Sequence, residues 1–139
     1  AAIAEARRLV AEPGAGPVVM ADTQDNPGGG GTGDTVGLLR ALLEARVERA
    51  ALGLLVDPAA AEAAHAAGLG ARLLVSLGAK RGGADEAPVE GEAEVVGLSD
   101  GRGRHRGPFL RNAAFRLGPT AALRLDGVTV VVSTYNVQC

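Results

Sequence analysis

Four consecutive glycines, Gly28 to Gly31, followed by Thr32 and a further glycine at Gly33, are the tightest constraint in this chain. Such a run is expensive to order. It is kept where the backbone must turn sharply or lie close to something with no side chain between. An apolar run, Val18 to Ala21, leads into it, and a helical run, Val36 to Arg46, leads out. A helix start adds unpaired N–H groups and a partial positive charge. Strand, glycine loop and helix together read as a small platform for an anion or a carbonyl. The competing reading is a mobile surface loop. Asp25, Asn26, Pro27 and Asp34 restrain the loop ends and favour the ordered one.

With 139 residues the chain is one domain with room for a real core. Its only aromatic residues are Phe109, Phe115 and Tyr135, so the core is Ala, Val and Leu, and a base-stacking surface is not expected. A net charge of -2 argues against a general polyanion binder. No nucleic-acid or membrane partner is expected, since no apolar run reaches the ~18 residues that span a bilayer. One Cys, Cys139, excludes an intrachain disulfide and fits a reducing, cytoplasmic compartment. The high Ala, Gly and Arg content suggests a bacterial source. The chain lacks an initiator Met and stops shortly after an apolar run, so both ends read as cuts.

In order, Ile3, Ala6, Leu9 and Val10 share one face of a helix over 2–11, ended by Pro13 to Pro17. Residues 18–23 are expected as a buried strand. Asp34 is expected to cap a helix over 35–46 with Leu39, Leu42, Leu43 and Val47 facing inward. Residues 50–56 form a second apolar strand, and Asp57-Pro58 opens a helix to Ala67 that Gly68 stops. Residues 72–77 are a third strand. This β-α-β-α-β order predicts parallel pairing. The second half is expected to be antiparallel: Val89 to Leu98 with Glu90, Glu92 and Glu94 on one face, a Gly/Arg loop over 99–108, and strands over 112–117, 120–125 and 128–133. Asp126-Gly127 joins the last two as a hairpin. The fold class is therefore α/β, a parallel βαβαβ half followed by an antiparallel β half in a mixed sheet, truncated at the C-terminus.

Gly28-x-Gly30-x-x-Gly33 matches a dinucleotide fingerprint, with Asp57 where a ribose-binding acid would stand. Five residues separate the strand from the first glycine, and Asp34 at the helix mouth would repel a pyrophosphate. Asp22, Asp25 and Asp34 suit acid, base or ligand work. A structural reading, in which Asp25 and Asn26 make side-chain turns and Asp34 caps the helix, weighs evenly against this for Asp22 and Asp25 and explains Asp34 better. His65 reads as a partly buried helix residue and His105 as a solvated one; neither belongs to a metal motif. Arg102, Arg104, Arg106, Arg111 and Arg116 make a basic patch able to hold a carboxylate or phosphate. It is otherwise solvated, or balanced by Asp85, Glu86 and the Glu90/Glu92/Glu94 face.

The stretch from Pro17 to Gly30, PVVMADTQDNPGGG, then Gly33-Asp-Thr and a Leu-rich helix, resembles the C-terminal domain of the MlrC family. Asp57-Pro58, Gly68-x-Gly70-Ala71, Ser99-Asp-Gly101, Gly107-Pro108 and Gly118-Pro-Thr-Ala121 extend the likeness over about residues 16–138. The family comprises zinc metallopeptidases named for the enzyme that degrades linearised microcystin. The resemblance implies that residues 1–12 connect from a missing N-terminal catalytic domain, and that 13–139 form the C-terminal-like domain, incomplete at its end. Zinc and its ligands would lie in that other domain, leaving no metal, cofactor or catalytic residue here.

On this reading the chain is the accessory, substrate-cleft domain of a hydrolase that cuts an amide bond in a small peptide-like substrate. The cleft wall would be Asp22, Thr23, Asp25, Asn26, Gly28, Gly29, Gly30, Gly31, Thr32 and Asp34, with loop N–H groups as donors. Alone, the fragment would be inactive. The alternatives are a dinucleotide- or phosphate-binding module using the Gly28–Gly33 loop, and a structural domain, with homodimerisation through an open sheet edge.

Overall fold

In the computed structural model, residues 2–81, 87–108 and 110–137 are described. The expectations for Asp85, Glu86, Phe109 and Cys139 lie outside them.

Among the described residues three helices and seven strands follow one another: α1 (Ala2–Val10), α2 (Gly37–Glu44), β1 (Ala50–Val56), α3 (Pro58–Ala67), β2 (Arg72–Leu77), β3 (Val89–Ser99), β4 (Arg102–Arg104), β5 (Ala114–Arg116), β6 (Thr120–Leu125) and β7 (Val128–Ser133). A short 3-10 turn covers Pro27–Gly29. Five strands make one sheet in the order β1-β7-β6-β3-β2, and β4 and β5 form a separate two-stranded ribbon. β1 pairs with β7 in parallel, and the other pairs are antiparallel. The mixed α/β class expected from the sequence is the one observed.

Strand alternation places the core. In β7, Val128, Val130 and Val132 are buried; in β6, Ala121, Leu123 and Leu125 are buried. In β3, Val89, Ala93 and Val95 point inward while Glu90 and Glu92 stand out in solvent. α3 lays Ala60, Ala61 and Ala64 against β2, β3, β6 and β7. With only methyl groups at that contact, helix and sheet approach closely. α2 adds Leu39 and Leu42, and Val36 just before it is also fully enclosed. Each fully buried Val or Leu is worth about 1.5–3 kcal/mol against exposure.

Three expectations change. Residues 18–23 run without strand pairing, and Val19 is 88% exposed. An apolar run needs a partner edge to become a strand, and these residues pair with none. β1 and β2 are not parallel neighbours but the two opposite edges of the sheet, because β7, β6 and β3 insert between them. The Gly/Arg loop expected over 99–108 contains β4, which pairs with β5 through Arg102↔Arg116, Gly103↔Phe115 and Arg104↔Ala114. The three glutamates do share a face, but their counter-ions are Arg72, 3.2 Å from Glu92, and Arg124, 2.8 Å from Glu94, rather than the Arg102–Arg116 patch.

Candidate functional site: the glycine loop at one end of the sheet

The loop is closed around one carboxylate. Asp25 Oδ1 accepts the Gly33 N–H at 2.7 Å, and Oδ2 accepts the Thr35 N–H at 2.8 Å. The Thr32 hydroxyl lies 3.5 Å from Oδ1. Partial burial works to raise the pKa of Asp25, but the backbone bonds from Thr35 and Gly33 and the hydroxyls of Thr35 and Thr32 outweigh it, so the pKa is lowered. Within this clasp Asn26 organises the glycines. Its side-chain oxygen accepts from the Gly28 N–H at 2.8 Å, and its carbonyl accepts from Gly29 and Gly31, both at 2.9 Å. Pro27 supplies the fixed φ of the first turn position, and its carbonyl accepts from Gly30 at 3.2 Å. Gly30 and Gly33 adopt φ of 88° and 72°, which favours glycine.

The amides expected to be open donors are therefore engaged inside the loop: Gly28, Gly29, Gly30, Gly31 and Gly33 all donate to Asp25, Asn26 or Pro27. What the loop presents outward is bare glycine backbone and the exposed side chains of Asp22, Thr23 and Asn26. Asp22 makes an Asx turn, Oδ1 accepting from the Gln24 N–H at 3.0 Å.

Asp34 does not cap α2. The N-cap position is Val36, without a side-chain cap bond. Asp34 is fully buried, and its Oδ2 accepts from the backbone N–H groups of Lys80 and Arg81 at 2.8 and 2.6 Å. Its carbonyl takes the Ala79 N–H at 2.7 Å. Asp57 does cap α3, Oδ1 accepting from Ala60 at 3.1 Å, but it also takes the Gly78 N–H at 2.9 Å and the Lys80 ammonium at 2.7 Å on both oxygens. The turn 78–81 after β2 is thus gripped by two buried carboxylates from distant segments. Gly78 is obligatory there: at φ 64° an added Cβ would meet Val36 and stand 2.6 Å from the Asp34 carbonyl.

Three more segments meet the loop at this end of the sheet. The Gly33 carbonyl accepts from Val56 at the end of β1 at 2.7 Å. Asn136, beyond β7, donates to the carbonyls of Gly31 and Thr32 at 2.9 and 3.3 Å. Thr134 and Tyr135 donate to the carbonyl of Leu117, the residue after β5. Loop, β1 end, β7 end and the base of the β4–β5 ribbon are one connected surface. Lys80 and Asn136 carry no local motif, and only the long-range folding reveals their part. Between α1, residues 17–22, the loop, α2 and the outer side of β1 runs an open groove of about 880 Å³.

Among the described residues no three His, Cys, Asp or Glu side chains gather as a metal site. His65 is exposed rather than partly buried, with Nε2 3.1 Å from the Thr120 carbonyl. His105 is half-buried rather than solvated, its ring edge-on to Phe115 at 5.1 Å. A dinucleotide site is also poorly served. No strand precedes the loop, its glycine amides are engaged, and the would-be ribose acid Asp57 is buried on Lys80. Among the described residues no helix is long and apolar enough to cross a membrane.

Residues 20–139 match the family model for the MlrC C-terminus. The chain belongs to the MlrC C-terminus family. Microcystinase C of Sphingomonas sp. is 32% identical over 123 residues, covering 88% of this chain and 24% of that protein. A crystal structure of a Mesorhizobium sp. BNC1 protein designated "Putative metallopeptidase" superposes with a TM-score of 0.75 at 30% identity, covering 84% of this chain and 24% of that one. The MlrC C-terminus domain described here thus spans about a quarter of the length of both relatives.

Proposed function

We propose that this MlrC C-terminus domain is the cleft-wall part of a longer bacterial, cytoplasmic zinc metallopeptidase that hydrolyses an amide bond in a small peptide-like substrate. The observation that carries this reading is the Asp25 clasp. A glycine surface held rigid by its own carboxylate can lie against a ligand or a catalytic domain without ordering on contact. Asp22, Thr23 and Asn26 stand on the loop as polar groups able to orient carbonyls or amides. Asp25, Gly28, Gly29, Gly30, Gly31 and Thr32 shape the surface, and Asp34 secures it from below. Zinc and the residues that hold it belong, on this reading, to a preceding N-terminal domain, and no step is assigned to the metal here. The reading draws on the likeness to Microcystinase C and to the Mesorhizobium protein.

The test is to replace Asn26 and Gly29 with bulkier residues in the full-length protein. Turnover is expected to fall while zinc content, read by elemental analysis, stays at the wild-type level. Unchanged kinetics in folded variants would remove the loop from the cleft.

A structural or dimerisation role is the second reading. It is favoured by the position of β1 at the edge of the sheet, where its outer side lines the groove and Val19 lies exposed nearby. Sedimentation of the chain over a concentration series tests it: a concentration-dependent dimer is expected, and a monomer throughout would end it.

A further inference from the structure

Between Asp100 and Asp126 the sequence carries six arginines and no acidic residue. The ribbon sorts three of them by face. Directly opposed residues of an antiparallel pair point to the same side, as do residues two apart on one strand. The register Arg102↔Arg116 and Arg104↔Ala114 therefore sets Arg102, Arg104 and Arg116 on one face. Gly103 and Phe115 occupy the other, where the Phe115 ring covers Gly103 and His105 packs edge-on against it. The aromatic side is partly buried and the three arginines are exposed, and residues of both faces line a hollow of about 410 Å³ at the ribbon.

Like charges directly opposite each other on a two-stranded ribbon repel. Within the described residues the compensation is slight: Arg102 Nε lies 3.6 Å from Asp100 Oδ2 on a largely exposed pair, and Arg104 donates to the Asn112 carbonyl at 2.8 Å. The opposed pair Arg102/Arg116 and the neighbouring Arg104 form two positive points separated along the strand by about two residue rises, roughly 7 Å. We propose that this face is a binding site for a small dicarboxylate, of the kind a short acidic peptide presents, with one carboxylate forked by Arg102 and Arg116 and the second met by Arg104. A single phosphate suits it less well, because the ribbon offers separated side-chain forks and no cradle of converging backbone N–H groups. The site adjoins the glycine loop through Leu117, Tyr135 and Asn136. It goes beyond the hydrolase reading and is measured without turnover.

The test is an NMR titration of the chain at low ionic strength with the dipeptide Glu-Glu, its neutral counterpart Gln-Gln, and inorganic phosphate. Saturable shifts at the amides of Gly103, Ala114 and Phe115 are expected with Glu-Glu and not with Gln-Gln, fading as salt is added. The double substitution R102S/R116S is expected to weaken binding roughly tenfold or more. R72S, whose arginine pairs with Glu92 on the main sheet, should leave it unchanged; the β6–β7 amide signals report that both variants are folded. No shift at the ribbon, equal binding of Gln-Gln, phosphate binding as tightly as Glu-Glu, or full binding by R102S/R116S would each overturn the proposal.

Discussion

The Lys80 ammonium sits 2.7 Å from both oxygens of Asp57, a carboxylate with no exposed surface. Asp57 also caps α3 and holds the Gly78 amide, so it joins three parts of the chain at once. Asp57→Ala is expected to destabilise the domain by about 3–5 kcal/mol, since it strands two buried amides and the ammonium together. Lys80→Met should cost less, about 1–2 kcal/mol, because the lysine side chain is 42% exposed and the two amides still satisfy Asp57. Urea unfolding of the two variants measures the difference, and equal losses would contradict it.

Asp25 sets a pH dependence. Its folded pKa lies below the ordinary value of 3.8, which the unfolded chain keeps. The unfolded state therefore binds the proton first as pH falls. The stability contributed by the clasp is fully present above about pH 4 and is lost as pH drops through the lower folded value. Asp25→Asn should lose less stability than wild type between neutral pH and acid. Unfolding midpoints across an acid series check this, and parallel curves would refute it.

Two glycines separate conformation from crowding. Gly68 ends α3 at φ 87° with nothing within 4 Å of an added Cβ, whereas Gly78 at φ 64° has Val36 and the Asp34 carbonyl in the way. Gly68→Ala should cost about 1–3 kcal/mol, from backbone strain alone, because φ 87° with ψ 166° is a region essentially reserved for glycine. Gly78→Ala should cost at least about 2 kcal/mol more, because the turn on Asp34 must shift. Thermal melts of the pair give the order.

The sheet predicts a similar contrast among leucines. Leu123 is fully enclosed in β6, while Leu74 on the edge strand β2 is 85% exposed. Leu123→Ala is expected to lose about 2–5 kcal/mol and Leu74→Ala less than about 0.5 kcal/mol. Comparable losses would mean that β2 is covered in solution.

The sequence disclosed those parts of the fold whose causes are local. β1, β2, β6 and β7 lie where continuous or alternating apolar runs stand between turn residues, and α3 begins at Asp57-Pro58 and stops at Gly68. That β1 and β2 are opposite edges rather than parallel neighbours was not legible, because the choice of neighbour depends on β7, whose Val128 pairs with Ala50 from 78 residues earlier. Residues 18–23 have the composition of a strand but no partner edge. Asp34 shows the same limit within the candidate site. A carboxylate just before a helix reads as a cap, yet the amides of Lys80 and Arg81, brought in by tertiary folding, take it instead. The loop itself was recognisable from its glycines, but its internal use of their amides was not. That depends on Asp25 reaching eight and ten residues ahead, which spacing alone does not reveal.

A loop whose glycine amides are already committed behaves as a solid relief rather than as a glove. Whatever meets it gains no ordered backbone donors from those glycines and needs no rearrangement of the chain to fit. Were this loop to wall a cleft as proposed, what it would offer is room: at Gly29 and Gly30 an added Cβ meets nothing closer than 3.9 Å. Selectivity among ligands would then fall to the side chains beside the ridge rather than to the ridge itself.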